Sequence, residues 1–394
     1  MITRHLSQGF SLRGEPIETL ATSGRYLIDG LLIPDSGEAY AQIGPVLTVR
    51  DLATGRIVWQ LGAISGFPVV TRNALYIGRR GYDLASGKQF RIPVGVPAGS
   101  IPDPSGDGIL AFTGSPAGRI LVDMNPKTGA TRWRTSTQRA SRFCGNVAAG
   151  RSAVIAMRCA ATGSGRGVRV EVDCFDPVTG RPRWSRLFQK AWSPVGLRAA
   201  VNGSTVMVVQ DLTGDAWSMT VDAMTGEVRP GLVRARAWMG ATGSLAVGLG
   251  PDRTAIVATR DESPQAARAN WNGIRALRLI DLAHGRVLWT VRPTSVAGSD
   301  ASLVFTRRAV YLLSGSTLTA YSLRSGRQEG QTSLPVTFRI NWMDPFDVLI
   351  PGPVSTGAGV IVGPERGPIL TGDLLISETE EGGLTAVQTS APTR

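Results

Sequence analysis

Apolar residues in this chain fall in short runs that are separated by polar segments rich in Gly, Asp and Asn. RALRLI at 275–280 and GRVLW at 285–289, for example, flank a single turn. Runs of this length, bounded by turn residues, are typical of β-strands. We find no sustained helical period over the length of a helix, so the pattern predicts an all-β protein built from hairpins.

One pattern recurs: an apolar strand, Asp-x-x-(Thr/Ser)-Gly, and a second strand that often reaches a Trp. Its copies lie at 49–59, 82–90, 122–133, 175–184, 221–228, 280–289 and 321–328. The turn glycines are Gly55, Gly87, Gly129, Gly180, Gly226, Gly285 and Gly326. Their spacing averages in the forties, which is the period of four-stranded propeller blades.

The chemistry of the motif is that of a tight hairpin. The Asp side chain accepts hydrogen bonds from the backbone that follows it, and the Gly adopts the left-handed conformation that closes the turn. We interpret the motif tryptophans as structural wedges between neighbouring blades: Trp59, Trp133, Trp184 and Trp289.

The number of repeats favours a closed propeller of four-stranded antiparallel blades, with eight blades favoured and seven as the alternative. Beyond Gly326, the segments VLIPGPVS, GVIVGP, DLLISETE and LTAVQT would build most of an eighth blade. Residues 1–19 form an N-terminal extension that could supply the missing strand and close the ring. Residues 20–394 then form a single propeller domain, whose closure removes exposed sheet edges.

The chain is basic, with 42 Lys and Arg against 30 Asp and Glu, but only Lys88, Lys127 and Lys190 are lysines. We therefore weigh affinity for an anionic polymer against an Arg-rich bias scattered over the surface. No apolar stretch is long enough for a membrane-spanning helix. The first residues show no signal-peptide pattern, so none is expected within this chain.

The cysteines are Cys144, Cys159 and Cys174, and all three fall in the fourth predicted blade. Two readings stay open: three small buried side chains, or, because neighbouring strands can bring such residues together, one disulfide, with Cys159–Cys174 as the candidate pair. Their spacing fits no zinc pattern, and the chain has two histidines. No metal site, catalytic residue or cofactor-binding residue is predicted.

These repeats resemble the quinoprotein-like β-propeller family, and most closely its non-catalytic BamB-like and PQQ-like repeat members. The resemblance covers about residues 20–390. The dehydrogenases of that superfamily carry a vicinal Cys-Cys pair and a Ca²⁺ site, and this sequence contains no Cys-Cys. Asp103 and Asp107, the best local Ca²⁺ candidates, are more simply read as a polar hairpin turn. The resemblance thus implies no enzymatic activity, and it places the propeller outside the cytoplasm.

Long irregular segments map to second-to-third-strand loops and blade connections, which share one face of a propeller. These segments carry Trp and Arg, the residue types that dominate the binding energy of protein interfaces. The residues predicted to bind a partner are Trp192, Trp238, Trp271, Trp342, Arg236 and Arg339. We expect a monomeric recognition module for a protein partner; the alternatives are a sensor of a glycan or anionic envelope polymer, and a quinone-dependent oxidoreductase.

Overall fold

A computed structural model describes most of the repeat region of the chain. The described residues are 7–12, 18–23, 25–34, 41–65, 68–97, 100–114, 120–136, 142–161, 168–191, 197–210, 217–229, 244–249, 254–260, 274–293, 301–305, 309–314, 317–333, 348–349, 369–371, 374–378 and 384–388. Within these ranges the chain forms strands and turns, with no helix. The all-β prediction is confirmed.

The described strands assemble into eight sheets. Each of the first seven contains four consecutive strands that pair antiparallel, and sheet 6 has a fifth strand, described below. The N-terminal strand β1 (Ser7–Leu12) is treated below with sheet 8. Sheet 1 comprises β2 (Glu18–Ser23), β3 (Tyr26–Pro34), β4 (Ala41–Asp51) and β5 (Ile57–Ser65); sheet 2, β6 (Val69–Val70), β7 (Ala74–Ile77), β8 (Arg80–Asp83) and β9 (Gln89–Arg91); sheet 3, β10 (Ile101–Pro102), β11 (Ile109–Thr113), β12 (Ile120–Met124) and β13 (Thr131–Ser136); sheet 4, β14 (Arg142–Ala149), β15 (Val154–Ala161), β16 (Val168–Phe175) and β17 (Pro182–Ala191).

The second half of the chain continues the pattern. Sheet 5 comprises β18 (Leu197–Asn202), β19 (Thr205–Gln210), β20 (Trp217–Asp222) and β21 (Val228–Arg229), and sheet 6 comprises β22 (Ser244–Leu249), β23 (Thr254–Arg260), β24 (Ile274–Asp281) and β25 (Arg286–Val291). Sheet 7 comprises β26 (Ala301–Phe305), β27 (Ala309–Ser314), β28 (Thr317–Ser322) and β29 (Gln328–Ser333). A short strand β30 (Val348–Leu349) follows, and β31 (Ile369–Thr371), β32 (Leu374–Glu378) and β33 (Leu384–Gln388) belong to sheet 8.

Sheet 8 joins the two ends of the chain. Its strand order is β31, β32, β33 and β1, so the N-terminal strand is its fourth strand and pairs antiparallel with β33, from Ser7 opposite Gln388 to Leu12 opposite Leu384. The first strands of neighbouring sheets contact one another, as in β2 with β6, β14 with β18 and β18 with β22. Strands β2 and β32 are also in contact, which brings sheet 8 against sheet 1.

Val348 and Leu349, the described part of the segment VLIPGPVS, do not join sheet 8, so their assignment to the eighth blade is wrong. Val348 and Leu349 instead pair in parallel with Val247 and Gly248 of β22, as a fifth strand of sheet 6. The physical reason is the strand count: β31, β32, β33 and β1 fill the four positions of sheet 8. The first strand of sheet 6 still offers an unpaired edge to a further strand.

The core lies between the faces of adjacent sheets. Along β15, Ile155 and Met157 pack in one buried cluster with residues of sheet 5, whereas Val154 and Ala156 pack in another with residues of sheet 3. Successive side chains of a strand point to opposite faces, so each central strand contributes to two interfaces. This explains why strands such as β7 are buried at every position rather than alternately.

Candidate functional site

The repeated Asp-x-x-Thr-Gly turn has the same geometry in successive sheets. In sheet 1, Asp51 Oδ1 accepts hydrogen bonds from the backbone N–H of Thr54 (3.1 Å) and from its hydroxyl (3.0 Å). The N–H of Gly55 donates to the carbonyl of Asp51 at 2.8 Å, with Gly55 at φ +70°. Asn125 and Ser322 take the Asp position in sheets 3 and 7.

Backbone donors keep the capping carboxylates ionised. The N–H of Thr179 is the main cause that lowers the pKa of Asp176 to about 2, and Arg183 assists at 2.6 Å. At Asp222, burial works in the opposite direction, but hydrogen bonds from Thr225 and Met224 prevail and the pKa is lowered. A carboxylate that accepts several backbone hydrogen bonds is stabilised in its charged form.

The motif tryptophans connect each sheet to the next. The indole N–H of Trp59 donates to the carbonyl of Leu84 at 2.8 Å, and the indole of Trp184 to that of Ala223 at 3.0 Å. Trp133 reaches Pro177 and Trp289 reaches Leu323 in the same way, at 3.2 and 2.8 Å. Each acceptor directly follows the Asp, or its replacement Ser322, of the next sheet's turn.

In four of the turns the glycine makes room for the tryptophan of the preceding sheet: Gly87, Gly180, Gly226 and Gly326. A Cβ added to Gly226 would lie 2.7 Å from Cγ of Trp184, and one added to Gly87 would lie 2.7 Å from Cγ of Trp59. The motif Gly therefore has two tasks, since it supplies the left-handed backbone and the flat surface on which the indole packs. The Trp of one repeat and the Gly of the next act as a single contact.

The motif turns share one side of the sheets with the turns between first and second strands. The N–H of Leu52 donates to the carbonyl of Arg25 at 2.7 Å in sheet 1, and the N–H of Ala223 donates to that of Ser204 at 2.8 Å in sheet 5. We call this side the motif-turn face. The second strands end and the third strands begin on the opposite side, because antiparallel strands reverse at each turn.

The predicted partner-binding residues lie outside the described residues: Trp192, Trp238, Trp271, Trp342, Arg236 and Arg339. The flanking strands nonetheless define where their segments fall in the chain. Segment 261–273 follows the second strand of sheet 6 and precedes its third, and segments 192–196 and 230–243 join consecutive sheets. The role of these residues in binding a partner stays a prediction.

The candidate disulfide between Cys159 and Cys174 is wrong. Cys174 is a free, buried cysteine, whereas Cys159 is disulfide-bonded. The reason is register: Cys159 pairs with Val170 and Cys174 with Ile155, so the two lie four residues apart along adjacent strands. That offset is about 13 Å, which no disulfide spans. Cys144 is the one other cysteine of the chain, on the adjacent strand β14.

A buried carboxylate pair that sequence reasoning missed lies in sheet 3. Asp103 accepts hydrogen bonds from the N–H of Gly108 (3.1 Å) and from Ser105, and it forms an ion pair with Arg132. Asp123 is also buried; its Oδ1 lies 3.8 Å from the Arg132 guanidinium and accepts no hydrogen bond from a described residue. Burial, reinforced by the charge of Asp103, raises the pKa of Asp123 to about 7.

One signal in the sequence could have revealed this pair. Asp123 stands two residues before the capping position, where other repeats carry Val49, Leu279 or Ala320. A charge at an apolar position of a central strand requires a buried partner. The turn 103–108 otherwise agrees with the predicted polar hairpin, since it connects β10 to β11.

No group of three or more His, Cys, Asp or Glu among the described residues is placed to hold a metal ion. No helix long and apolar enough to cross a membrane occurs in the same ranges.

Among solved structures, the β-propeller domain of Cps50 (Swd1) from Myceliophteria thermophila is 13% identical, with a TM-score of 0.39 over 82% of this chain and 98% of that one. The quinohemoprotein alcohol dehydrogenase ADHIIG of Pseudomonas putida HK5 is 10% identical, with a TM-score of 0.48 over 99% of this chain and 77% of that one. The corresponding enzyme of Comamonas testosteroni is 10% identical, with a TM-score of 0.46 over the same shares. Identities this low carry no statement about activity.

No curated protein matches the sequence. The family model described as outer membrane protein assembly factor BamB matches residues 116–361, more than half of the chain. The matched region begins just before β12 and includes the tryptophan contacts from Trp133 to Trp289. The chain therefore belongs to the BamB family of PQQ-like repeat proteins.

Proposed function

We propose that this protein is a non-catalytic, closed β-propeller of eight blades that binds a protein partner in the cell envelope. The family match is the observation that carries the proposal, because the family is described as an assembly factor. An assembly factor works by holding other proteins, and that requires a rigid frame with variable loops.

Closure of the ring is supported by the arrangement of the sheets. There are eight in chain order among the described strands, the first strands of several neighbouring sheets are in contact, and sheet 8 combines the last three strands with β1. A sheet that uses both ends of the chain ties the first blade to the last. Each remaining edge is then an outer strand rather than an open end of the fold.

An extracytoplasmic location is supported by the disulfide-bonded Cys159. Disulfides persist in oxidising compartments such as the periplasm and are rare in the cytosol. The proposal places the propeller in such a compartment, in agreement with the expectation for the family.

Recognition is assigned to the side opposite the motif-turn face, where the segments with Trp192, Trp238, Trp271 and Trp342 fall in the chain order. Tryptophan and arginine are the residues most often found at the energetic centre of protein interfaces. The motif-turn side, by contrast, is occupied by turns whose backbone groups are hydrogen-bonded within the repeat.

The test is affinity purification of the tagged full chain from its native envelope. We compare wild type with a Trp238→Ala, Trp271→Ala, Trp342→Ala variant. The matched control is Val178→Ala, Leu187→Ala, Met224→Ala, which truncates exposed apolar side chains elsewhere on the sheets. The proposal expects the first variant to lose a protein that wild type and control both retain. A partner set that is identical in all three, or quinone-dependent turnover of the purified protein, would overturn it.

A further inference from the structure

We propose that the motif-turn face binds the surface of an anionic lipid bilayer. This goes beyond protein recognition, because it concerns the opposite side of the sheets and a different partner. Three features carry it: repeated cations, acids turned inward, and exposed apolar side chains on the same turns.

The repeat places a cation immediately after the turn glycine in five of the seven motif copies. These side chains are all exposed: Arg56, Lys88, Arg181, Arg286 and Arg327. Arg286 lies 3.3 Å from Asp281, and the other four form no ion pair with a described acidic residue. Lys127 and Arg324 add exposed cations within the turns of sheets 3 and 7. In the two remaining motif copies, the residue after the glycine is Ala130 in sheet 3 and the exposed Glu227 in sheet 5.

The acids of the same turns point inward. The side chains of Asp51 and Asp281 are 17% and 15% exposed, since their oxygens accept hydrogen bonds within the turn, whereas those of Arg25 and Arg286 are 72% and 68% exposed. Positive charge therefore projects farther from this face than negative charge. Asp107, which is half exposed, lies 4.0 Å from Arg72. A surface of this kind attracts anions at short range and is screened by salt.

Apolar side chains project between these cations. Val178 is 79% exposed and Met224 is 56% exposed, at equivalent positions in the turns of the adjacent sheets 4 and 5. Cations that surround protruding apolar side chains are typical of surfaces that lie on a membrane, where charges meet headgroups and apolar groups reach the acyl boundary.

The distribution favours a bilayer over a polymer. A polyanion requires a continuous track of cations along its backbone, whereas here each sheet contributes one or two charges at its own turn. The cations are spread over six sheets and combined with apolar side chains. This arrangement fits the extended surface of a bilayer better than a linear polymer.

The experiment is co-sedimentation of the full chain with phosphatidylcholine vesicles, with and without phosphatidylglycerol. The test variant is Arg56→Gln, Lys88→Gln, Arg181→Gln, Arg327→Gln. The matched control is Arg79→Gln, Arg80→Gln, Arg91→Gln, Arg292→Gln, which removes the same charge from exposed residues at the opposite ends of the strands. Circular dichroism and a thermal melt confirm that all proteins are folded. A second variant, Val178→Ser with Met224→Ser, keeps every charge.

Wild type and control should bind anionic vesicles and not neutral ones. The test variant should bind at least about tenfold more weakly, since each cation near an anionic surface contributes roughly fivefold. The serine variant should also bind more weakly at equal charge. Equal loss in test and control variants would overturn the proposal, as would wild-type binding to soluble polyphosphate without binding to vesicles.

Discussion

Replacement of Asp123 by Asn should change how the stability of the protein depends on pH. Asp123 is 2% exposed, its Oδ1 accepts no hydrogen bond from a described residue, and burial together with Asp103 raises its pKa to about 7. In the unfolded chain the pKa of an aspartate is about 3.9. The folded state therefore binds a proton more tightly, so this group stabilises the fold below pH 4 and loses that contribution as pH rises to 7.

The size of the effect follows from the shift. A difference of about three pKa units corresponds to at most about 4 kcal/mol of unfolding free energy between pH 4 and pH 8. Asn keeps the shape of the protonated acid and carries no charge. The Asp123→Asn protein should therefore be more stable than wild type at pH 8 and about equally stable at pH 4.

Urea unfolding followed by tryptophan fluorescence at half-unit steps of pH measures this directly. Asp107→Asn is the control, because Asp107 lies in the same sheet, in the turn that also holds Asp103, but is half exposed. Other carboxylates affect wild type and variants alike, so the difference between curves isolates Asp123. The reasoning is refuted if the Asp123→Asn curve stays parallel to that of wild type between pH 4 and pH 8.

Four further predictions concern the repeat, the thiols and the ring. Gly226→Ala should cost about 1–3 kcal/mol more than Gly203→Ala in urea unfolding, because both glycines have positive φ but the added Cβ meets Trp184 at Gly226 and open space at Gly203. Trp184→Phe should lower stability by about 1–3 kcal/mol, since the carbonyl of Ala223 loses its indole donor and keeps only the weak thiol donor of Cys174; an unchanged urea midpoint would contradict this. Cys174, whose pKa burial raises to about 12, should resist a thiol reagent at pH 8 until the protein is unfolded, and rapid labelling of the native protein would disprove its burial. Deletion of residues 1–12 should lower the melting temperature by removing the fourth strand of sheet 8, whereas a melt that matches wild type would argue against ring closure.

The turns and their tryptophans could be predicted from sequence because their causes are local. An Asp, a Thr and a Gly within five residues determine a hairpin by themselves, and the regular position of the Trp indicates a repeated packing role. The contacts between Trp184 and Gly226, and between Trp289 and Gly326, follow from that repetition.

Features that depend on register could not be predicted in the same way. The candidate disulfide pair was wrong because residue spacing does not say which residues of β15 and β16 are opposite each other. The position of β30 depends on a free strand edge elsewhere in the fold, which the segment itself does not encode. The cations of the motif-turn face are visible in the repeated sequence motif. Only the geometry of the turns shows that these side chains project, whereas the acidic side chains point inward.

Site-specific photo-crosslinking in the native envelope tests the central claim most directly. A photoreactive residue is placed at Trp271 or Trp342 on the proposed recognition side, and at Ala53 or Val178 on the motif-turn face. The account predicts a discrete protein adduct from the first pair and none from the second. A protein adduct from the motif-turn positions, with none from the tryptophan positions, would contradict it.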